Sequence, residues 1–254
     1  MFIETYLVLF CFFLVLFIIG QVIKDNSIVD IGWGSGFVLS AIFSYFRYPN
    51  TGLKATIITI FIVIWGLRLS YHIAKRNIGK PEDYRYVQMR KSWGNKNVML
   101  KAFLKVYLLQ FLIQSIVTLP VIYGNTTSNQ KLQLINIFGI VLWGIGFFFE
   151  AYGDYQLKQF KADKNNKGKL MDKGLWALTR HPNYFGDSTM WFGIFFIAIS
   201  NINGLWIIIG PCFMTFFIVF VSGVAMLEKK YKGRPDFEVY KRKTSVFFPW
   251  FPKK

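Results

Sequence analysis

The sequence predicts an all-α fold: a polytopic bundle of about seven transmembrane helices, N-terminus outside and C-terminus cytoplasmic. Three observations carry this. Of 254 residues, 54% are hydrophobic and 17% charged, with a mean hydropathy of +0.36, whereas soluble domains carry about 25% charged residues. Apolar runs of about 20 residues, enough to cross a bilayer, recur along the chain. The cations gather in a few segments between these runs instead of spreading over a surface.

Taken in order, the runs near 4–23, 28–46, 54–73, 102–122 and 134–154 each read as one span. The stretch 188–227 is too long for one helix, and Asn201, Asn203 and Gly204 divide it into spans near 188–200 and 204–227. The first run carries Glu4 and no cationic region before it, so no cleavable signal is expected. In the second span, Gly32 and Gly36 form a small-xxx-small packing face, with the wrong spacing for a dinucleotide fingerprint. In the fourth, Gln110 and Gln114 read as hydrogen-bonding glue between helices.

Lys75, Arg76, Lys80, Arg85, Arg90, Lys91, Lys96 and Lys101 crowd the segment 74–101, and 155–187 and the tail after Glu228 are similarly basic. The segment 123–133 holds only Lys131, and 201–203 no charge. Basic loops stay in the cytoplasm, which sets the orientation. The net charge of +17 therefore reads as topology signal and headgroup attraction, with no nucleic-acid partner expected. Cys11 and Cys212 lie in apolar runs, and with two histidines they supply neither a disulfide framework nor a zinc site, so no metal is expected.

Ionisable groups inside spans cost about 2.5–3.5 kcal/mol each at the helix centre and tend to mark function. Here Asp30, Arg68, Glu150, Asp154 and Glu228 all fall toward the cytoplasmic ends of their spans. Arg68, Tyr71 and His72 share one helix face, as do Glu150 and Asp154. A transporter would place such groups near the midplane, whereas these outline a polar cavity open to the cytoplasm. Structural alternatives stand beside this: Arg68 snorkelling, the acids satisfying nearby lysines, and Asp30 either pairing with Arg68 or kept as a neutral acid.

The densest signal is Arg180-His181-Pro182-Asn183-Tyr184, followed by Asp187. Pro182 suits a first helical turn, whose free N–H groups are ready for an anion. Arg180, Tyr184 and Asp187 are expected on one helix face, with Lys158, Lys161, Lys164, Lys167, Lys169 and Lys173 around the entrance. The pattern reads as a site for a large anionic cofactor at the membrane surface. The plainer reading is a helix cap beside a basic loop.

This block resembles the C-terminal signature of the integral-membrane steroid 5-alpha-reductase superfamily, in particular its uncharacterised bacterial branch. So do Ser27-Ile28-Val29-Asp30-Ile31-Gly32-Trp33-Gly34, Trp65-Gly66-Leu67-Arg68-Leu69, Glu82-Asp83-Tyr84-Arg85-Tyr86, the Glu150/Asp154 pair and the tail from Tyr240 to Phe248-Pro249-Trp250. The resemblance implies a single membrane domain over 1–254, with 1–122 on the substrate side and 123–254 holding NADPH. It implies cofactor contacts from Asp154, Asn183, Tyr184, Asp187 and Tyr240, with Lys158, Lys161, Arg180 and His181 beside them. It also implies that an acid of the second helix, here Asp30, and a tyrosine of the third polarise an enone carbonyl. Trp65 occupies the expected tyrosine position, so Arg68 and Tyr71, or His72, are the candidates to assist.

The expected activity is NADPH-dependent reduction of a conjugated carbon–carbon double bond in a steroid-like or other lipid enone, in the bacterial inner membrane or the endoplasmic reticulum. Two rivals stand. Membrane methyltransferases of the isoprenylcysteine and phospholipid type, using S-adenosylmethionine, share a looser form of the block. A non-enzymatic lipid-binding or transport protein would need no such block.

Overall fold

The computed structural model describes residues 2–48, 52–127 and 131–253, so part of the expected 123–133 loop lies outside the described residues. Helices make up the fold, and the described residues hold no named strand, only one isolated parallel bridge from Thr179 to Ser245. They are α1 (Phe2–Val22), α2 (Ile28–Arg47), α3 (Leu53–Asn77), α4 (Tyr84–Trp93), α5 (Val98–Val117) and α6 (Leu119–Thr126). There follow α7 (Leu134–Ala162), the single turn α8 (Leu175–Leu178), α9 (Pro182–Ala198), α10 (Ile202–Tyr231) and α11 (Pro235–Lys243).

Six of these are long and apolar enough to cross a membrane: α1, α2, α3, α5, α7 and α10. The protein is thus a multi-pass integral membrane protein. The expected span near 188–200 is α9, which begins earlier, at Pro182, and has 17 residues, the short end of the crossing range. The expected span near 102–122 ends at Val117, because Pro120 lacks the N–H that would continue its ladder. Six-residue π segments, Phe103–Leu108 in α5 and Phe217–Ser222 in α10, leave both helices locally wider than α.

The chain gathers into two compact units, 1–133 with 198–207 and 134–197 with 208–254. Lipid offers little hydrophobic drive for helix association, so close packing and hydrogen bonds must hold each unit. In the first unit α2 and α3 touch backbone to backbone: a Cβ on Gly34 would lie 2.3 Å from the Gly66 carbonyl oxygen. Gly32 and Gly36 are packing positions as expected, one against Leu16 and the other against Gln114. Gln114 Nε2 donates to the Trp33 carbonyl at 2.7 Å, and Asn125 Nδ2 reaches the Ala41 carbonyl at 3.0 Å.

α4 lies outside the spans, yet its Tyr86 and Trp93 are buried with Leu9, Phe13, Val29 and Tyr107. This anchors an extramembrane helix onto the bundle. In the second unit, Gly139, Gly146 and Gly153 of α7 meet α9 antiparallel. A Cβ on Gly146 would sit 2.6 Å from the Gly186 carbonyl oxygen, and one on Gly193 2.8 Å from that of Gly139. The seven-residue spacing keeps one face of α7 against α9 along its length.

Candidate functional site

Each unit carries its own cluster of buried polar groups. In the first, the α1–α2 turn is fastened to the segment before α4. The Asn26 N–H donates to Glu82 Oε1 at 2.8 Å, Arg90 donates to the same oxygen at 2.5 Å, and the Tyr107 hydroxyl reaches Asn26 Oδ1 at 3.2 Å. Asp83 caps α4, its Oδ1 accepting the Arg85 N–H at 3.0 Å. These ties deliver the first turn of α4 to the first turn of α2, where Asp30 stands.

Asp30 Oδ1 accepts the Tyr86 hydroxyl at 2.6 Å, and Oδ2 accepts Arg85 Nη2 at 2.7 Å. Arg85 also pairs with Asp83, Nε to Oδ1 at 3.0 Å and Nη2 to Oδ2 at 3.1 Å. Burial and the Asp30 carboxylate hold the Tyr86 phenol well above its ordinary pKa, so it keeps its proton at neutral pH. Burial works against charge on Arg85, but its bond to Asp83 and the Asp30 charge outweigh it and raise its pKa. At Asp83 burial pushes upward, and the hydrogen bonds from Arg85 bring the carboxyl below its usual value.

Of the two fates open to Asp30, the structural pair with Arg68 is not the one seen: its carboxyl is held by Arg85 and Tyr86. Tyr71 is two-thirds exposed with the Lys75 ammonium 5.7 Å from its ring centroid, and donates nothing to Asp30. The physical reason is long-range docking of α4, which spacing along α3 does not report. In the sequence Arg85 reads only as a topology cation, and Tyr86 only as part of the Glu82-to-Tyr86 resemblance. The available signal was a capping aspartate after Pro81 followed by arginine and tyrosine, in a chain with an acid lacking a partner.

In the second unit, α9 starts at Pro182 as the sequence predicts. Its N-terminal end meets the end of α7, where Asn183 Nδ2 donates to Asp154 Oδ1 at 3.1 Å. Lys158 and Lys161 follow Asp154 on the same face of α7 and are exposed. Trp176 Nε1 donates to the Gly153 carbonyl at 3.0 Å, tying α8 to α7. Tyr184 stacks on His181, ring centroids 5.7 Å apart, and packs on Gly223, where a Cβ would lie 2.9 Å from its ring. Asp187, one turn after Asn183, is half-buried.

Arg180 departs from expectation. It precedes α9, in the stretch bridged to the tail, and so does not share a helix face with Tyr184 and Asp187. Its guanidinium is buried and holds both Glu228 oxygens, Nε to Oε1 at 2.8 Å and Nη2 to Oε2 at 3.1 Å. Nη1 donates to the carbonyls of Thr244 at 2.7 Å and Lys241 at 3.1 Å. His181 Nε2 lies 3.1 Å from Glu228 Oε1. The Tyr240 hydroxyl donates to the Trp176 carbonyl, and burial raises its pKa. Arg180 and Tyr240 are therefore internal fasteners of the signature loop. The backbone completes the fastening: Arg180 N–H to the Ser245 carbonyl and Trp250 N–H to the Leu178 carbonyl, both 2.9 Å.

Between the end of α10 and α11 lies an open groove of about 600 Å³, lined by Glu228, Lys229, Lys232, Phe237, Glu238 and Lys241. Among the described residues no three His, Cys, Asp or Glu side chains gather to hold a metal ion.

Comparison with known proteins bears on both clusters. A stretch of 61 residues is 36% identical to the Probable O-methyltransferase ustE of Ustilaginoidea virens, covering 24% of this chain and 20% of that protein. The chain thus spans about a fifth of the length of this curated relative. No solved structure matches. The family described as "Protein of unknown function (DUF1295)" matches residues 16–244, nearly the whole chain. The chain belongs to that family, a steroid 5-alpha-reductase-like family of membrane proteins.

Proposed function

We propose that the protein is an NADPH-dependent reductase of a conjugated enone in a lipid or steroid-like substrate. The observation that supports this most is the pairing of half-buried Asp30 with buried Tyr86, 2.6 Å apart, beside Arg85. An enone reductase needs a proton donor for the carbonyl oxygen and fixed positive charge to stabilise the enolate. Tyr86 is such a donor, since its phenol stays protonated at neutral pH. The residue types match the acid and tyrosine that the family resemblance implies, with Tyr86 in place of Tyr71.

The C-terminal residues fit a dinucleotide by chemistry. Asn183 and Asp154 offer an amide and a carboxylate for ribose or carboxamide groups, and Lys158 and Lys161 offer charge for phosphates. When bound, NADPH supplies a hydride equivalent to the β-carbon of the enone. The chain's own work is at the oxygen. Tyr86 turns its hydroxyl from Asp30 to the carbonyl oxygen and gives up its proton as the π electrons move there. Asp30, 17% exposed at its side chain, relays a replacement proton from water, and Arg85 offsets the negative charge left on the pair. Ketonisation then takes up a proton at the α-carbon and releases the enol O–H proton to solvent, which completes the saturated ketone.

The test is NADPH oxidation by detergent-purified protein with a 4-en-3-one steroid or another lipid enone. Tyr86→Phe should keep folding and NADPH binding while turnover falls about 10²-fold, the range for acid–base groups. A protein that binds S-adenosylmethionine and not NADPH would overturn the reading. That second reading, a membrane methyltransferase, is favoured by the 61-residue likeness to an O-methyltransferase. It leaves the Asp30–Tyr86 pair without a task, and a thermal-shift comparison of the two cofactors separates them.

A further inference from the structure

The lysines of the α10–α11 groove have no part in the mechanism above. Lys229 and Lys232 come from the end of α10 and the turn after it, Lys241 from α11, and all three are exposed. The groove also contains two carboxylates. Glu228 is matched by the Arg180 guanidinium, so only Glu238 offsets the three ammonium groups. The groove therefore carries a net positive charge.

Its walls are fixed by a buried group. Arg180 grips Glu228, the neighbour of Lys229, and also the backbone carbonyl of Lys241. One guanidinium thus ties the two sides of the groove together, within one residue of two of its lysines. Phe237 of α11 is buried, its ring tilted against that of Tyr231 with centroids 5.6 Å apart. Several ammonium groups along one open concavity suit a phosphate better than a single carboxylate, because charge-assisted bonds to several oxygens form at once. The plainer account is that lysines at the ends of α10 and α11 merely complement the helix dipoles.

We propose that the groove of Lys229, Lys232 and Lys241 is a phosphate-binding site for a ligand carrying two or more negative charges. The identity of that ligand as the dinucleotide cofactor rests on the reductase reading; the anion site itself does not. The same chemistry is offered by a soluble nucleotide and by a phosphomonoester lipid headgroup.

The experiment is titration calorimetry on the full-length protein in neutral detergent, with pyrophosphate, adenosine 2′,5′-bisphosphate and NADPH as probes. It compares wild type, the triple variant Lys229→Gln/Lys232→Gln/Lys241→Gln, and a control, Lys96→Gln/Lys253→Gln, with exposed lysines outside the groove. All substituted side chains are exposed, and gel filtration with a melting curve checks that the fold is kept. The triple variant should bind pyrophosphate at least about tenfold more weakly, as loss of charge-assisted contacts implies, with the control unchanged. Equal pyrophosphate binding by wild type and triple variant, or none by either, overturns the proposal. If NADPH binds both equally while pyrophosphate ignores the lysines, the groove fails and the reductase reading stands. If pyrophosphate depends on the lysines but NADPH does not bind wild type, the groove stands and the reductase reading fails. In a lipid arm, micelles doped with phosphatidic acid replace phosphatidylcholine. Lysine-dependent displacement of pyrophosphate by phosphatidic acid, with the nucleotide inert, assigns the site to a headgroup.

Discussion

The two polar clusters use similar residues to opposite ends. Around Arg180, both carboxylate oxygens of Glu228 and two backbone carbonyls take up the guanidinium, and the Tyr240 hydroxyl is spent on a carbonyl. Around Asp30, the carboxylate meets an arginine 38% exposed and a phenol still holding its proton. Arg85 there has a second partner in Asp83. The first cluster spends its donors within the loop and the tail. Under the proposed reductase reading, the second cluster is the one that works on the substrate.

The largest expected effect breaks the C-terminal cluster. Arg180→Leu leaves Glu228 beside His181 without its main counter-charge, a loss of about 3–5 kcal/mol for a buried pair cut on one side. It should show as loss of monodisperse protein on gel filtration. A variant that purifies normally and binds cofactor less tightly would move Arg180 from fastener to ligand contact.

Next comes the glycine seam. Gly146→Ala puts a methyl group 2.6 Å from the Gly186 carbonyl oxygen and should cost about 1–3 kcal/mol of overpacking, read as a lower melting temperature in detergent. An unchanged melting temperature would mean that α7 and α9 pack less tightly than described.

Asp30→Asn sharpens the contrast from the other side. Because Arg85 keeps Asp83, the variant should melt within a few degrees of wild type, while enone turnover falls by about 10²-fold. Loss of folding instead would class Asp30 with Arg180.

The smallest effect is a pH response. The carboxyl of Asp83 lies below its ordinary value of 3.8, so its contribution is complete above that pH and is lost as pH falls through the lowered value. Fluorescence of the α4 tryptophan, Trp93, should report loosening only under such acid conditions. Asp83→Asn should remove that pH dependence.

Much of the fold was legible because membrane spans announce themselves by length and polarity. The start of α9 at Pro182 and the packing roles of Gly32, Gly36 and Gln114 follow from local chemistry. The heptad of Gly139, Gly146 and Gly153 is equally visible in the sequence. The site was less legible, because its pairings are distant: 55 residues separate Asp30 from Arg85, and 48 separate Arg180 from Glu228. Sequence marks Asp30 as an acid in need of a partner, but only the docking of α4 through Asn26 and Glu82 selects Tyr86 over Tyr71.

The binding of the signature loop to the tail has a consequence for biogenesis. Arg180 finds the carbonyl of Thr244 only 64 residues further along the chain, and its own N–H closes on Ser245. During synthesis, Arg180 meets Glu228 first, and only the residues from Lys241 to Ser245 complete its bonds and those of its backbone. The contacts that close this end of the second unit therefore come from the last part of the chain to be made. A chain ended before Thr244 would lack the carbonyls of Thr244 and Ser245 that take up the Arg180 guanidinium and N–H.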